Sequence, residues 1–556
     1  MTTQKLAWTD ERSASHLKFT GRIICPLLAT LLISIILSGC EANRSPKPPA
    51  NPTRNELQAL PHSATVTALK PKQAPVNGAE QPTPGSHDLD GNVQILPTAT
   101  SAGSNSPRRT THYQIDLDID YVDAAYQGIA HVEFTNTEDI PLDRLFFRLL
   151  PNGGRSYGNG SLTVEQVLVN GATAETALSL QDSVLEVKLP QILQPGEKVQ
   201  IELPFAGRVP SGEEQLSGYG IFNLTQGILA LSGWYPMLAV YDEDGWNLDP
   251  VSDMGDSVYS DSSQYSVQVT VPKEMRLAST GVETTREELG DRLRLGYESK
   301  QARDFALIMS PDFMQLSQQV GSTRVNSFYL PGEETAAQLA LAVAADSLKI
   351  YNEEFGPYPF AEFDLVETPL RYALGVEFPE LVFIGRDLYH QPDDPFFTVT
   401  IAHEAAHQWW YNVVGNDVSD EPWLDEALAT YASSLYYEFG PSQAHPTGLY
   451  EFWQENYAQL LTEGQDDQVA QSLSYFEGLG SSRIYSHVVY SKGALFFKAL
   501  REEIGDQAFF QALKDYFQDF QYQIASGEDL LSAFESSSGR QLDEFYNQWL
   551  YSTTPK

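Results

Sequence analysis

The chain has 556 residues, which exceeds what one hydrophobic core usually supports, so two or more domains are expected. Its 74 acidic and 35 basic residues give a formal net charge of −39. This charge argues against nucleic-acid binding and against docking of the folded part on anionic lipid. The two cysteines, Cys25 and Cys40, lie near the N-terminus, so any metal held further along must be bound by His, Asp or Glu.

Residues 1–40 have the features of a secretory signal. Lys18 and Arg22 precede the apolar run IICPLLATLLISIIL, which is shorter than the ~20 residues that a spanning helix needs. The run ends in LSGC, which resembles the lipobox of bacterial lipoproteins. The resemblance implies lipidation of Cys40 and anchoring to the outer face of the bacterial cell membrane. The alternative is an uncleaved signal anchor.

Residues 41–110 are rich in Pro, Ser, Thr, Asn and Gly, as in RSPKPPANPTRN. Such a composition cannot bury enough apolar surface to order itself, so a disordered tether is predicted here.

Residues 111–310 contain short segments that alternate between apolar and polar residues. In HYQIDLDIDY the residues Tyr113, Ile115 and Leu117 share one face of a strand, and aspartates fill the other. Similar runs recur between Pro, Gly and Asn turns. They predict an N-terminal all-β sandwich.

Residues 311–556 change character. EETAAQLALAVAADSLKIYNEEFG has helical spacing, and FDLVETP and EFPELVFIG are short strand candidates. The fold expected for the whole chain is therefore multidomain, with the β-sandwich followed by an α+β catalytic domain that ends in helices.

The segment TIAHEAAHQWW carries two histidines four residues apart. Asp394-Pro395 is a good helix start, and a helix from there through Trp410 places His403 and His407 on one face. Two imidazoles in that arrangement can bind one zinc ion at about 2.0–2.1 Å. Glu404, between them, can take a proton from a metal-bound water.

A second predicted helix follows Glu421-Pro422 and carries Glu426, which can return as a third ligand. Three protein ligands leave the fourth position for water, which is the pattern of a catalytic zinc site.

Together these segments resemble the aminopeptidase N-like family of zinc metallopeptidases, the gluzincins with a thermolysin-like catalytic domain. HEAAH is followed after eighteen residues by the glutamate of WLDEALA, FGPYPF and LGVEFPELVF resemble the entry to the exopeptidase motif GxMEN, and VVYSKGALFF resembles the tyrosine motif YxKG. The resemblance runs from about Thr111 to the C-terminus. It indicates a short form without the large C-terminal helical domain, and hence a more open cleft than in larger members.

The resemblance implies one Zn²⁺ bound by His403, His407 and Glu426, with Glu404 as general base. It implies that Tyr490 donates a hydrogen bond to the developing oxyanion. It also implies that Glu377, with Gly375 and Val376, binds the substrate and that Glu377 pairs with the free α-ammonium group.

Several positions depart from the family pattern. At GxMEN the first Gly is Leu374, Met is Val376 and Asn is Phe378, which cannot supply the hydrogen bonds of an amide. At WLNEG the Asn is Asp425 and the Gly is Ala427, a change expected to affect groups around the zinc more than the zinc itself. His487, three residues before Tyr490, is expected to have a structural role.

These features predict a zinc aminopeptidase that acts on peptide substrates outside the cytoplasm. One alternative is a zinc endopeptidase, if Phe378 spoils capture of the amine; epoxide hydrolysis, known in one branch of the family, is a more distant one. A non-catalytic surface binding lipoprotein on the same scaffold is a further alternative, but every ligand, the base and the tyrosine are retained.

Overall fold

The computed structural model describes residues 111–212, 219–256, 258–441 and 446–553. The predicted signal with Cys40 (1–40) and the predicted tether (41–110) lie outside these residues. Among the helices of the described part, none is both long and apolar enough to cross a bilayer.

The first half of the described chain is built of strands. Its largest sheet has the order β17-β18-β15-β1-β2-β9-β5-β6 with β4 also paired to β9, beside smaller sheets β10-β11-β19-β16, β12-β3-β8-β7 and β13-β14. The strands are β1 Thr111–Asp120, β2 Ala125–Thr135, β3 Leu142–Arg148, β4 Ser161–Val164, β5 Leu168–Val169, β6 Ala172–Thr173, β7 Thr176–Ser179, β8 Val184–Leu193, β9 Lys198–Arg208, β10 Phe222–Thr225, β11 Ile228–Leu231, β12 Met237–Leu238, β13 Tyr241–Asp242, β14 Gly245–Trp246, β15 Ser263–Pro272, β16 Arg276–Ser279, β17 Val282–Leu289, β18 Arg292–Ala302 and β19 Leu307–Ser310.

The alternation in the first strand has its predicted consequence. Tyr113, Ile115 and Leu117 are buried in one hydrophobic core that the strands of this region share. β1 pairs with β2 antiparallel and with β15 parallel, so it lies inside the sheet. Period-two burial of this kind is what holds the register of a half-buried strand.

After β19 the chain forms a further, five-stranded sheet of order β20-β21-β22-β24-β23. β23 pairs antiparallel with β24 and lies at the edge, so its other side is open to an added strand. The strands are β20 Met314–Val320, β21 Thr323–Tyr329, β22 Glu362–Thr368, β23 Gly375–Phe378 and β24 Leu381–Gly385.

Helices make up most of the chain after β21. They pack around a second hydrophobic core with the inner face of this sheet. The helices are α1 Glu334–Glu354, α2 Arg386–Tyr389, α3 Pro395–Ala406, α4 Trp423–Phe439, α5 Thr447–Glu463, α6 Leu473–Leu479, α7 Ser482–Tyr485, a π-helical segment Ser486–Lys492, α8 Gly493–Ile504, α9 Asp506–Phe520, α10 Gly527–Ser538 and α11 Asp543–Trp549.

The predicted fold class, a β-rich region followed by an α+β region that ends in helices, is confirmed. The predicted limits at residues 110 and 310 stay predictions. One boundary is wrong: the helix that carries the histidines ends at Ala406, and does not continue through Trp410. Turns follow Ala406, and at Tyr411 the backbone has a φ of 94°, a conformation that no α-helix contains.

Candidate active site

The two histidines of HEAAH lie at the C-terminal end of α3. The Asp394 side chain caps the start of this helix by accepting a hydrogen bond from the Phe396 N–H at 2.9 Å, and Pro395 follows at the first helical position. His403 is in the last turn and His407 still has helical backbone angles, although the helix ends before it. Their rings therefore face the same side, with Nε2 atoms 3.1 Å apart.

Glu426 reaches the same point from the first turn of α4. Its Oε2 lies 3.3 Å from His403 Nε2 and 3.4 Å from His407 Nε2. Ligands bound tetrahedrally to zinc at about 2.0–2.1 Å are about 3.3–3.4 Å from one another. Glu426 Oε2 is also buried without a hydrogen-bond partner. The three donor atoms thus fit one zinc ion.

Further groups orient the two rings. His407 Nδ1 lies 3.2 Å from the carbonyl oxygen of Trp410, and His403 Nδ1 lies 3.5 Å from Thr430 Oγ1. A proton held on Nδ1 leaves Nε2 free to bind a metal.

The pKa values of the three candidate metal ligands are shifted in different directions. Burial would raise the pKa of Glu426, but the nearby rings of His403 and His407 outweigh it and lower that pKa. Burial lowers the pKa of His403. Burial acts on His407 in the same direction, but the carboxylates of Glu377 and Glu426 outweigh it and raise its pKa. The glutamate is therefore an anionic donor, as zinc requires.

Two further carboxyl groups adjoin the ligands. Glu404 is 4% exposed and Glu377 is 8% exposed. Burial raises the pKa of both, and the charge of Glu377 raises that of Glu404 further. Glu404 Oε2 and Glu377 Oε1 are buried without hydrogen-bond partners. Unsatisfied buried acceptors of this kind favour a site that receives cations or proton donors.

Strand β23 presents alternate side chains to opposite faces. Gly375 and Glu377 face α3, whereas Val376 and Phe378 pack on the hydrophobic core of the β-rich region. The Phe378 ring contacts the Phe383 ring with centroids 4.8 Å apart. The Val376 side chain is therefore turned away from Glu404, and substrate binding by Val376 stays a prediction.

Gly375 is placed where a larger residue would disturb the base. A Cβ atom there would lie 2.3 Å from Glu404 Oε1 and 2.5 Å from its Cδ and Cγ. Side-chain atoms do not approach so closely, so the glycine leaves the room that Glu404 occupies.

Tyr490 lies on the π-helical segment between α7 and α8. Its hydroxyl donates a 2.5 Å hydrogen bond to Glu426 Oε1. Burial and the Glu426 charge raise its pKa, so the hydroxyl remains a proton donor. π-Helical turns are frequent at functional sites. Gly493, after this segment, allows close packing on α4, since a Cβ there would lie 2.5 Å from Ala427 Cβ.

The remaining residues singled out in the sequence lie around the centre. Asp425 is buried and accepts a 3.1 Å hydrogen bond from Asn416 Nδ2; burial and Glu426 raise its pKa to about 8. His487 is buried, and burial together with Arg483 lowers its pKa to about 4. The charged groups acting on His487 are on α5 and α7 and are not the metal ligands.

Two residues that lie near the site were not predicted from the sequence. Asp256, from the loop before β15, lies near enough to Glu377 that its pKa is raised by burial and then by that carboxylate. Gln408 is buried; its Nε2 donates to the Phe378 carbonyl and its Oε1 accepts from the Glu380 N–H, both at 2.9 Å. Gln408 adjoins the histidine motif and could have been found there, whereas Asp256 comes from a distant segment without a motif.

A comparison with family models matches residues 339–549 to the peptidase family M1 domain. This match confirms the resemblance to the aminopeptidase N-like family.

Curated relatives and solved structures agree with it. Aminopeptidase M1-B of Oryza sativa subsp. japonica is 28% identical over 41% of this chain, and the match covers 27% of that protein. Probable aminopeptidase 2 of Sulfurisphaera tokodaii is 22% identical over 52% of this chain and 38% of its own length. The chain thus spans about a quarter to two fifths of these relatives. A crystal structure of an M1 zinc metallopeptidase from Deinococcus radiodurans has the same fold, with a TM-score of 0.62 and 23% identity over 81% of this chain and 96% of that one.

Proposed function

Since residues 339–549 belong to peptidase family M1, we propose that the protein is a zinc-dependent aminopeptidase, which removes N-terminal residues from peptides. The observation that carries the proposal is the position of Glu377. Its carboxylate is on edge strand β23, buried beside the zinc-binding triad, 3.9 Å from His407 Nδ1. A buried carboxylate beside the metal ligands suits a peptide whose first residue carries a charged amine.

The proposed metal is one Zn²⁺ held by His403, His407 and Glu426. When bound there, zinc lowers the pKa of a water molecule and polarises the carbonyl of the scissile bond. Glu404 would take the proton of that water and pass it to the departing amine. Burial raises the pKa of Glu404, which suits a group that both accepts and returns a proton.

Tyr490 would act on the carbonyl oxygen. Its hydroxyl now donates to Glu426 Oε1, so it already points toward the metal ligands. As negative charge develops on the substrate oxygen, the hydroxyl would donate to that oxygen. A donor fixed before the reaction costs no reorganisation during it.

Glu377 would bind the α-ammonium group of the substrate, with the buried carboxyl group of Asp256 near it. Each ammonium N–H can donate to one carboxylate oxygen. A variant of the Deinococcus relative is described as bound to a Tyr-Ser-Ala substrate, a short peptide of the class proposed here.

The endopeptidase alternative depends on Phe378 disturbing the amine pocket. The Phe378 side chain packs on the core, on the face of β23 opposite Glu377. This placement supports the aminopeptidase and leaves no observation that favours internal cleavage.

The test is the turnover of a short peptide with a free amino terminus beside its N-acetylated twin, with the full chain and zinc. We expect strong preference for the free amine, and loss of that preference in Glu377→Gln. Glu404→Ala is the inactive control that excludes a contaminating peptidase. Equal turnover of the two peptides would indicate an endopeptidase, and no turnover of either would favour the binding protein.

The location proposed for this activity is outside the cytoplasm, on a lipid anchor at Cys40. Only the signal-like sequence of residues 1–40 supports it. Expression of Cys40→Ser in a bacterial host is expected to move the protein from the membrane fraction to the soluble fraction. A protein that stays membrane-bound would indicate an uncleaved anchor.

A further inference from the structure

Arg303 lies at the junction of the β-rich and catalytic regions, directly after β18. It is 1% exposed. Its guanidinium donates to four main-chain carbonyls from three separate segments. They are Tyr411 O at 2.6 Å, Ser260 O at 3.0 Å, Gln523 O at 2.6 Å and Val413 O at 3.4 Å. A guanidinium presents five N–H donors in a fixed fork, so one side chain can hold all three segments in place.

The segment that Arg303 holds is the turn that follows His407. The carbonyl of Trp410 lies 3.2 Å from His407 Nδ1, and the next residue, Tyr411, has a φ of 94°. This conformation is strained for a residue with a bulky side chain, so surrounding contacts must maintain it. The φ angle of Tyr411 follows the peptide plane that contains the Trp410 carbonyl, so the two are coupled.

Both ends of Tyr411 are tied to the β-rich region. Its carbonyl accepts from Arg303 Nε, and its hydroxyl donates to the carbonyl of Val258. Gly415, at the end of the turn, leaves space for the guanidinium, because a Cβ atom there would lie 2.1 Å from Arg303 Cζ. Arg303 and Gly415, which are far apart in the sequence, thus take part in the same contact.

We propose that Arg303 is a positioning residue for the metal. It fixes the strained turn at Tyr411, so that the Trp410 carbonyl accepts a hydrogen bond from His407 Nδ1–H and Nε2 is directed at the metal. A buried cation is expensive to maintain, and holding a metal ligand is a use that would justify it. The inference rests on the proposed zinc site, and it assigns a role to a residue outside all of that site's motifs.

The experiment measures zinc affinity by competition with a chelator, starting from the metal-free full chain. We expect Arg303→Met to weaken zinc binding about 10–100-fold, as loss of groups that orient ligands does elsewhere. Arg303→Lys keeps the positive charge but lacks the forked guanidinium donors, and Gly415→Ala displaces the guanidinium. Both variants are expected to weaken zinc binding, and they test the proposal if Arg303→Met does not fold. The visible absorption of the Co²⁺-loaded variants should change, because it reports ligand geometry.

The matched control is Arg386→Met. Arg386 also links the two regions, through its hydrogen bond to Gln226, and its Nε lies 3.1 Å from Glu367 Oε1. We expect this variant to lower Tm while its zinc affinity stays within twofold of the wild type. If the Arg303 and Gly415 variants also lower only Tm, with unchanged zinc affinity and Co²⁺ spectrum, the proposal is overturned. A wild-type chain that binds no zinc would instead refute the proposed function.

Discussion

Gly375→Ala is expected to disable the general base without removing the metal. The added Cβ would lie 2.3 Å from Glu404 Oε1, whereas an ordinary carbon–oxygen contact is about 3.3 Å, so one of the two must move by about 1 Å. The clashing atoms, Oε1, Cδ and Cγ, all belong to the Glu404 side chain, which can move more easily than the backbone of β23. The substitution should therefore displace the Glu404 side chain and change the free energy of unfolding little.

A displacement of about 1 Å at a reacting group costs about 100-fold in rate. We therefore expect kcat to fall about 100-fold in Gly375→Ala, with bound zinc unchanged because Gly375 contacts no ligand atom. The assay is hydrolysis of a free-amine peptide, with metal analysis of the same preparation. Gly448→Ala is the matched control, since a Cβ at Gly448 meets no atom within 4 Å, and its kcat should equal that of the wild type.

A Gly375→Ala enzyme with wild-type kcat would refute the steric argument, as would one whose loss of kcat is accompanied by an equal loss of bound zinc.

Three further predictions concern the site and its surroundings. Tyr490→Phe should lower kcat about 10²–10³-fold with zinc content unchanged, as removal of one oxyanion donor does elsewhere, and an unaltered kcat would exclude the role given to Tyr490. Asp256→Asn should lower kcat/KM for a free-amine peptide about tenfold, since a charged acceptor is lost, and should leave any residual turnover of the N-acetylated twin unchanged; an equal loss on both substrates would contradict a role in amine binding. Burial raises the pKa of Asp364 to about 8, so the folded protein keeps a proton that the unfolded chain releases near pH 4. Between about pH 4 and 8 the free energy of unfolding of the wild type should thus fall with rising pH by about 1.4 kcal/mol per pH unit more than that of Asp364→Asn. Urea unfolding at several pH values measures both proteins, and an equal pH dependence of the two would refute the prediction.

Local patterns predicted the features that depend on local geometry. The spacing of His403 and His407 fixes both rings on one helical face, so the pair could be placed before any fold was known. The same holds for β1, whose alternation fixes which side chains are buried. The orientation of Val376 also follows from strand period two, because Val376 precedes Glu377 by one residue and so faces the other side of the strand.

Other features depend on contacts between distant segments. The turn at Tyr411, which follows the histidine helix, is held by Arg303, more than a hundred residues earlier in the chain. Asp256 reaches Glu377 only because the loop before β15 folds over the catalytic region. Neither segment contains a sequence pattern that identifies the segment it contacts, so neither contact could be predicted from one sequence.

The excess of negative charge links metal binding to substrate choice. Burial raises the pKa of four carboxyl groups in and around the site, Glu377, Glu404, Asp425 and Asp256. His407 lowers the pKa of Glu377, Glu404 and Asp425 and so offsets part of this rise. A zinc ion supplies two positive charges to the same region, and a substrate α-ammonium supplies a third. An N-acylated peptide brings no charge, so it leaves Glu377 buried without a cationic partner. On this reasoning zinc binding and the proposed preference for a free amino terminus have one physical origin, the cost of burying carboxylates, which cations relieve.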